Sequence, residues 1–223
     1  MKLFKNNKQK AIDGLDLPFK AHIIDIKNFK KGWKLAIAED NSYILIKDNR
    51  VVTTFTSYQS FKIAKNNRAQ VTLTDGRKLI LSADGYCIGG FNKQNELFDN
   101  GWFVLKRCDT LTLYNSIGML VGENLKKAKV FPNGYYHMSV TTQGEAKYAG
   151  VFDNHGNKLL LTNTENVEMY PSGWFIASGM LYDNLGNCFL GMKGGYLPPI
   201  WKVKLFARIM PKRKHEKLQS TNK

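Results

Sequence analysis

A short pattern that returns five times constrains this chain more than any other feature. Phe98-Asp-Asn-Gly-Trp-Phe103, Phe131-Pro-Asn-Gly-Tyr-Tyr136 and Tyr170-Pro-Ser-Gly-Trp-Phe175 each set an aromatic before a Gly turn and two aromatics after it. Phe29-Lys-Lys-Gly-Trp-Lys34 is an earlier copy, and Ala64-Lys-Asn-Asn-Arg-Ala69 is a degenerate one with Asn67 in the Gly position. Asn tolerates the left-handed backbone best after Gly, so that exchange is physically reasonable. The marker positions 32, 67, 101, 134 and 173 lie 35, 34, 33 and 39 residues apart. Recurrence at a fixed period signals a repeat architecture.

A second marker recurs inside each unit. Leu111 to Val121, Val151 to Leu160 and Leu181 to Leu190 each read as an apolar strand, an Asx–Gly turn and a second apolar strand. Leu79 to Ile88 aligns as a copy one residue shorter, and Ile44 to Val52 as one shorter again. This is a hairpin with a stated turn mechanism. Each unit therefore predicts four short strands. First strands fall at His22 to Phe29, Lys127 to Phe131 and Asn166 to Tyr170, and second strands at Trp102 to Lys106, Tyr135 to Val140 and Trp174 to Ala177. The polar stretches Phe55 to Gln59, Glu123 to Lys126 and Leu161 to Glu165 are expected to carry one unit to the next.

The second strands are apolar on both sides. Trp102 and Val104 oppose Phe103 and Leu105, and Trp174 and Ile176 oppose Phe175 and Ala177. A sheet wetted on one face alternates apolar with polar residues, so these sheets are expected to be covered on both faces. The reading is an all-β chain of five antiparallel four-strand repeats of about 35 residues. A five-bladed β-propeller-like array suits that pattern, with an open stacked β-solenoid as the alternative. The expected organisation is a basic segment over residues 1–21, the repeat body over 22–191 and a basic tail over 192–223.

The unit as a whole, F-x-x-G-W-x-x-V followed by an apolar-Asp-x-x-Gly hairpin, resembles the bacterial WG-repeat (KWG) proteins over about residues 22–191. Gly150, Asp153 and Gly156 in Tyr148 to Lys158 match that family's hairpin, whereas Ala149 stands where its Trp would be. The resemblance implies an interaction module rather than an enzyme.

The net charge of +15 is unevenly placed. Residues 1–20 carry five basic and two acidic side chains, and residues 202–223 carry eight and one, which leaves +5 for the body. A mildly basic body is no nucleic-acid platform, so nucleic acid is disfavoured as a partner. The N-terminus lacks the apolar run of a signal peptide, and no stretch reaches the roughly 18 apolar residues of a spanning helix. A cytoplasmic protein is expected, with peripheral attachment to the inner membrane as an extension.

Single residues add little chemistry. A residue repeated at one structural position is read as packing, so Trp33, Trp102, Tyr135 and Trp174 are assigned to the core. Cys87 and Cys188 share a hairpin position with Leu120 and are read as small buried hydrophobes, while Cys108 lies beside Arg107. His22, His137, His155 and His215 have no ligand-spaced partner; His155, in a hairpin turn, and His137, in a strand, read as surface or half-buried. Asp84, Asn115, Asp153 and Asp183 open hairpin turns, where Asx side chains bond their own backbone without a metal. Asp25 and Glu168 fall in first strands but do not form a carboxylate pair of the kind glycosidases need. No catalytic, cofactor or metal site is expected, and the chain reads as a non-enzymatic scaffold for a protein or glycan; a carbohydrate-binding propeller is a narrower form of that reading.

After the breaker run Gly194 to Pro199, the tail interleaves apolar and basic residues, and residues 201–205 read as a strand. Trp201, Lys202, Lys204, Phe206, Arg208, Lys212, Arg213, Lys214 and Lys217 are the candidate contacts to an anionic membrane. This tail resembles the basic-aromatic tails of bacterial proteins that build surface polysaccharides at the inner membrane. That likeness implies a peripheral accessory role in polysaccharide assembly.

Overall fold

The computed structural model describes residues 22–140, 149–164, 166–190, 204, 205 and 208. Among the described residues every regular element from Ile23 to Leu190 is a strand, and the strands follow the repeats. The first sheet runs β1 (Ile23–Asn28), β2 (Trp33–Ala38), β3 (Tyr43–Lys47), β4 (Arg50–Phe55) in that order. The second runs β5 (Ser60–Ile63), β6 (Ala69–Thr72), β7 (Lys78–Leu81), β8 (Cys87–Asn92). The third repeat contributes β9 (Glu96–Leu97), β10 (Phe103–Arg107), β11 (Thr110–Tyr114) and β12 (Leu120–Val130). The fourth continues with β13 (Tyr136–Val140), β14 (Gly150–Phe152) and β15 (Lys158–Leu160), and β9 to β15 pair in sequence order. The fifth sheet is β16 (Val167–Met169), β17 (Phe175–Ala177), β18 (Met180–Tyr182), β19 (Cys188–Leu190). Each of these sheets is antiparallel wherever its register is resolved.

One expected connection is not a loop. Glu123 to Lys126 lies inside β12, which is the last strand of repeat three and the first of repeat four. Leu125 is fully buried there, so the strand keeps its core contact while its polar neighbours stay outside. A bulge marks the passage from one repeat to the next within this single seven-stranded sheet: Asn124 is at φ 55° and the register shifts between Leu125 and Lys127.

All five marker positions adopt the left-handed backbone: Gly32, Asn67, Gly101, Gly134 and Gly173 have φ of 76°, 65°, 88°, 87° and 89°. The hairpin turns are equally regular. Asp153 Oδ1 accepts from the His155 and Asn157 backbone N–H groups, and Asp183 Oδ1 from those of Leu185 and Asn187. Asn115 does the same for Ile117 and Met119. In the second repeat this position is Ser82, whose hydroxyl accepts from Tyr86 N–H; Asp84 lies two residues on. The turn from Ser82 to Gly85 is therefore as long as its sisters, because Ser replaces the Asx residue. Only the first repeat is shorter, turning on Asp48 and Asn49 at φ 47° and 66°.

The described residues fall into two compact units, one within 1–106 plus 114–119 and the other within 107–113 plus 120–223. In the first, Trp33, Leu35 and Leu45 of the first sheet pack on Ala69, Val71, Leu79 and Leu81 of the second. The second sheet turns Ile80 the other way, onto Leu97, Phe103 and Leu105. In the other unit, Phe131, Tyr135 and Val151 pack on Phe175, Ala177 and Tyr182, while Trp174 and Ile176 face a separate cluster with Tyr170 and Leu181. The two-faced second strands are thus explained by repeats stacked face to face.

The same turns also join repeats. Asn66 Oδ1 accepts from Arg68 N–H within its own turn, while its Nδ2 donates to the Ser116 carbonyl at 2.9 Å. Asn133 repeats the arrangement, with Oδ1 holding Tyr135 N–H and Nδ2 donating to the Tyr170 carbonyl of the next repeat at 3.1 Å. An amide is required because one oxygen and one NH2 must serve two directions at once.

Candidate functional site

The second unit contains a cleft of about 810 Å³ between repeats four and five. Its basic wall follows from strand alternation. Lys127 and Lys129 are two apart on β12, and the antiparallel register sets them opposite Ser139 and His137 on β13. Opposed residues project from one face of a sheet, so both lysines share a face with His137. On the other side lies the edge strand β16, which turns Val167 and Met169 to one face and Glu168, opposite Ile176 of β17, to the other, and Lys204 of the tail completes the rim.

His137 is only 1% exposed, so the surface or half-buried reading does not hold. It sits in a second strand in which every residue is buried, and a polar residue there shares the burial of its neighbours. Burial pushes its pKa down to about 4, helped by the positive charges of Lys127 and Lys129 and opposed by a hydrogen bond to the Thr164 backbone. The imidazole is neutral at pH 7. Its Nε2 is buried and has no hydrogen-bond partner among the described residues.

Glu168 is the carboxylate of this wall. Lys204 Nζ lies 2.7 Å from Oε2, and the Tyr170 hydroxyl donates to Oε1 at 2.8 Å. The Lys204 hydrogen bond holds the Glu168 carboxyl below its usual range, outweighing burial, with the Tyr170 bond and the charge of Arg208 adding to it. Burial, then Glu168 itself, push the Tyr170 phenol up. Lys204, Leu205 and Arg208 are helical, which corrects the strand reading at 204 and 205. A helical turn brings residues four apart to one side and within about 6 Å of each other, and Lys204 and Arg208 both act on Glu168. Trp201, Lys202, Phe206, Lys212, Arg213, Lys214 and Lys217 lie outside the described residues.

Beside the cleft, Pro132, Asn133, Met169, Tyr170 and Pro171 line a smaller, more apolar recess of about 340 Å³. It shares Pro132 and Met169 with the larger cleft.

The other candidates separate into clear groups. Trp33, Tyr135 and Trp174 are buried and Trp102 half-buried, which leaves no row of exposed stacking rings. Cys87 and Cys188 are exposed, contrary to expectation. They do share Leu120's position, but each of the three opens the strand just past a hairpin turn, and Leu120 is itself 51% exposed. Cys108 is exposed in a tight turn at φ 49°. His22 and His155 are exposed, and His215 lies outside the described residues. Asp25 is exposed and accepts from the neighbouring Ile26 N–H. Among the described residues no group of three or more His, Cys, Asp or Glu side chains is arranged to hold a metal, and no helix is long and apolar enough to cross a membrane.

No family model matches the chain, and no curated protein matches it either. Solved structures with a likeness to it include the WD40 β-propeller domain of Doa1, at 13% identity over 69% of this chain and 58% of that one, TM-score 0.28. BamB from Moraxella catarrhalis is 10% identical over 70% of this chain and 56% of that one, TM-score 0.32. YCF48 bound to D1 peptide is 13% identical over 77% and 69%, TM-score 0.29. The chain thus spans little more than half the length of the first two. Among the site residues, sequence reasoning passed over His137 and set Glu168 aside. The signal for His137 was its place in a strand apolar on both faces.

Proposed function

We propose that this chain is a non-enzymatic interaction module, and that a protein or glycan partner docks in the cleft between repeats four and five. One observation carries the reading: the three lysines of the cleft, Lys127, Lys129 and Lys204, accompany one carboxylate among its described residues, and that carboxylate is already bonded to Lys204 and Tyr170. That arrangement leaves a positive, partly apolar recess suited to holding a group of opposite charge. Probing glycan and peptide arrays with the chain and with a Lys127→Ala/Lys129→Ala variant tests it. Hits are expected that the variant loses while its melting temperature is kept. Hits unchanged in the variant would overturn the proposal, as would substrate turnover abolished by Glu168→Gln.

For the body we propose five blades closed in a propeller-like ring, supported by one four-strand set per repeat and by packing of sheet on sheet within each unit. Spin labels test closure, one at native Cys188 and one at Thr54→Cys, with Cys87 and Cys108 changed to Ser. A closed ring returns the first and fifth sheets to neighbouring positions. An open stack separates them by four spacings of about 10 Å each.

A second reading, a peripheral accessory protein at the inner membrane in bacterial polysaccharide assembly, is favoured by Leu205 and Arg208. Both are exposed on a helical segment, one apolar and one cationic. It predicts sedimentation with anionic liposomes that is lost on deleting residues 200–217.

A further inference from the structure

The first unit carries an exposed apolar tip that its own packing does not use. In the hairpin of the third repeat, Ile117 and Met119 are 74% and 61% exposed. The turn is held by Asn115, whose side chain accepts from the backbone N–H groups of both. Its sisters make the same turn with His155 and Asn157, and with Leu185 and Asn187. Apolar side chains at both positions are therefore a requirement of neither turn nor core. Tyr86, which holds the position of Met119 in the second repeat, is 63% exposed, with the Arg50 guanidinium 5.8 Å from its ring centre.

These residues belong to one end of the unit. In a four-strand meander the first and third turns lie at the same end of the sheet. Contacts then join the ends of successive repeats, Arg50 over Tyr86 and Asn66 Nδ2 on the Gly101 and Ser116 carbonyls. Counting each turn with one flanking residue on either side, this end carries six cationic side chains and three anionic, against three and four at the opposite end of the unit. Two of its three carboxylates are already paired, Asp48 with Lys47 and Asp99 with Lys62. Lys30, Lys31, Arg50 and Lys65 are exposed. The backbone of the tip is also ready to leave water. Ile117, Gly118 and Met119 N–H groups all have acceptors within the turn, and the Ser116 carbonyl accepts from Asn66 and Arg68.

We propose that this end of the first unit docks on an anionic lipid bilayer, with Ile117 and Met119 entering the interface and the surrounding cations on the headgroups. Charge complementarity calls for an anionic surface, and the apolar tip selects lipid among such surfaces. A nucleic acid offers nothing for Ile117 and Met119 to enter, and an acidic protein needs a preformed hollow to receive them. A bilayer needs none. The proposal rests on the membrane reading given above and adds a contact distinct from the tail. Apolar insertion and charge add in such attachment, so losing either contact weakens it.

The test uses the full chain with a polarity-sensitive dye at Met119→Cys, the exposed Cys87, Cys108 and Cys188 being changed to Ser. A second protein carries the dye at Asp75→Cys, at the opposite end of the unit. Both are mixed with phosphatidylcholine vesicles made with and without phosphatidylserine, and dye emission and sedimentation are read together. The dye at 119 is expected to shift to the blue with phosphatidylserine vesicles alone, and the dye at 75 to stay in water. Ile117→Asp/Met119→Asp is expected to weaken sedimentation of the unlabelled chain at least about tenfold, and Arg50→Glu/Lys65→Glu to weaken it as well. All four positions are exposed, so folding, checked by circular dichroism, is retained. Sedimentation with the dye at 119 still in water would overturn this proposal and leave the tail contact standing, as would sedimentation unchanged in Ile117→Asp/Met119→Asp. No sedimentation of the full chain would overturn the membrane reading and this proposal together. An equal blue shift with duplex DNA or polyglutamate in place of vesicles would overturn the assignment to lipid.

Discussion

Protonating His137 in the folded protein forces a charge into a strand where every neighbour is buried, so acid should destabilise this chain before its carboxylates titrate. The folded imidazole titrates near 4, against an ordinary value of 6.5. Above pH 6.5 the ring is neutral in both folded and unfolded chains and contributes nothing to the pH dependence. Between 6.5 and 4 the unfolded chain takes up a proton that the folded chain refuses, so stability falls as pH falls, and below 4 the loss levels off. A separation of about 2.5 units at 1.36 kcal/mol each amounts to about 3 kcal/mol. For a chain of this size that lowers the melting temperature by roughly 6–12 °C. The control is His137→Gln, which fills the position with a neutral amide that does not titrate. Thermal melts of both proteins from pH 8 to pH 3.5 should diverge, the wild type losing about 3 kcal/mol more between pH 6.5 and 4. Lysine neighbours and surface carboxylates are common to both proteins, so they cancel in the difference. Parallel curves would refute the reasoning, because they would mean that His137 is solvated enough to charge in place.

Three other outcomes derive from the stacking of repeats. Gly186→Ala and Gly76→Ala both place a Cβ on a left-handed backbone, at φ 88° and 84°, but only at Gly186 does that Cβ run into the Leu159 carbonyl of the preceding repeat. Denaturant melts should show a loss of about 1 kcal/mol at Gly76 and clearly more at Gly186; equal losses would contradict the packing of repeat five on repeat four. Asn67→Gly should be neutral or slightly stabilising and Asn67→Ala should cost about 1 kcal/mol, since φ is 65° there. Asn133→Ala removes the turn bond to Tyr135 and the bond to the Tyr170 carbonyl, and should cost roughly 1–3 kcal/mol by chemical denaturation.

Much of this fold is legible in the sequence because repeats check one another. Five copies of a Gly turn identify a backbone conformation that one copy would leave open, and Asn67 becomes readable as its substitute. The opposition of Phe175 and Ala177 to Trp174 and Ile176 is likewise visible from alternation alone, and the structure assigns the two pairs to separate clusters. What stays hidden depends on partners that differ between repeats. Exposure of Cys87 and Cys188 follows from their place beyond a turn, and a residue's own character does not report that. The helical turn at Lys204 is stabilised by Glu168, which lies thirty-six positions earlier in the chain. Burial of His137 was deducible from its strand, and burial is the first cause of its lowered pKa; the added effect of Lys127 and Lys129 needed the register, which sets Lys129 across from it.

Hydrogen–deuterium exchange of the full chain, with and without the tightest ligand from the array experiment, tests the docking site most directly. Slowed exchange confined to Lys127–Val130, Tyr136–Val140 and Val167–Met169 is the predicted result. Protection that leaves those three segments unchanged and appears at the exposed hairpin tip around Ile117 and Met119, or at any other surface, would contradict it.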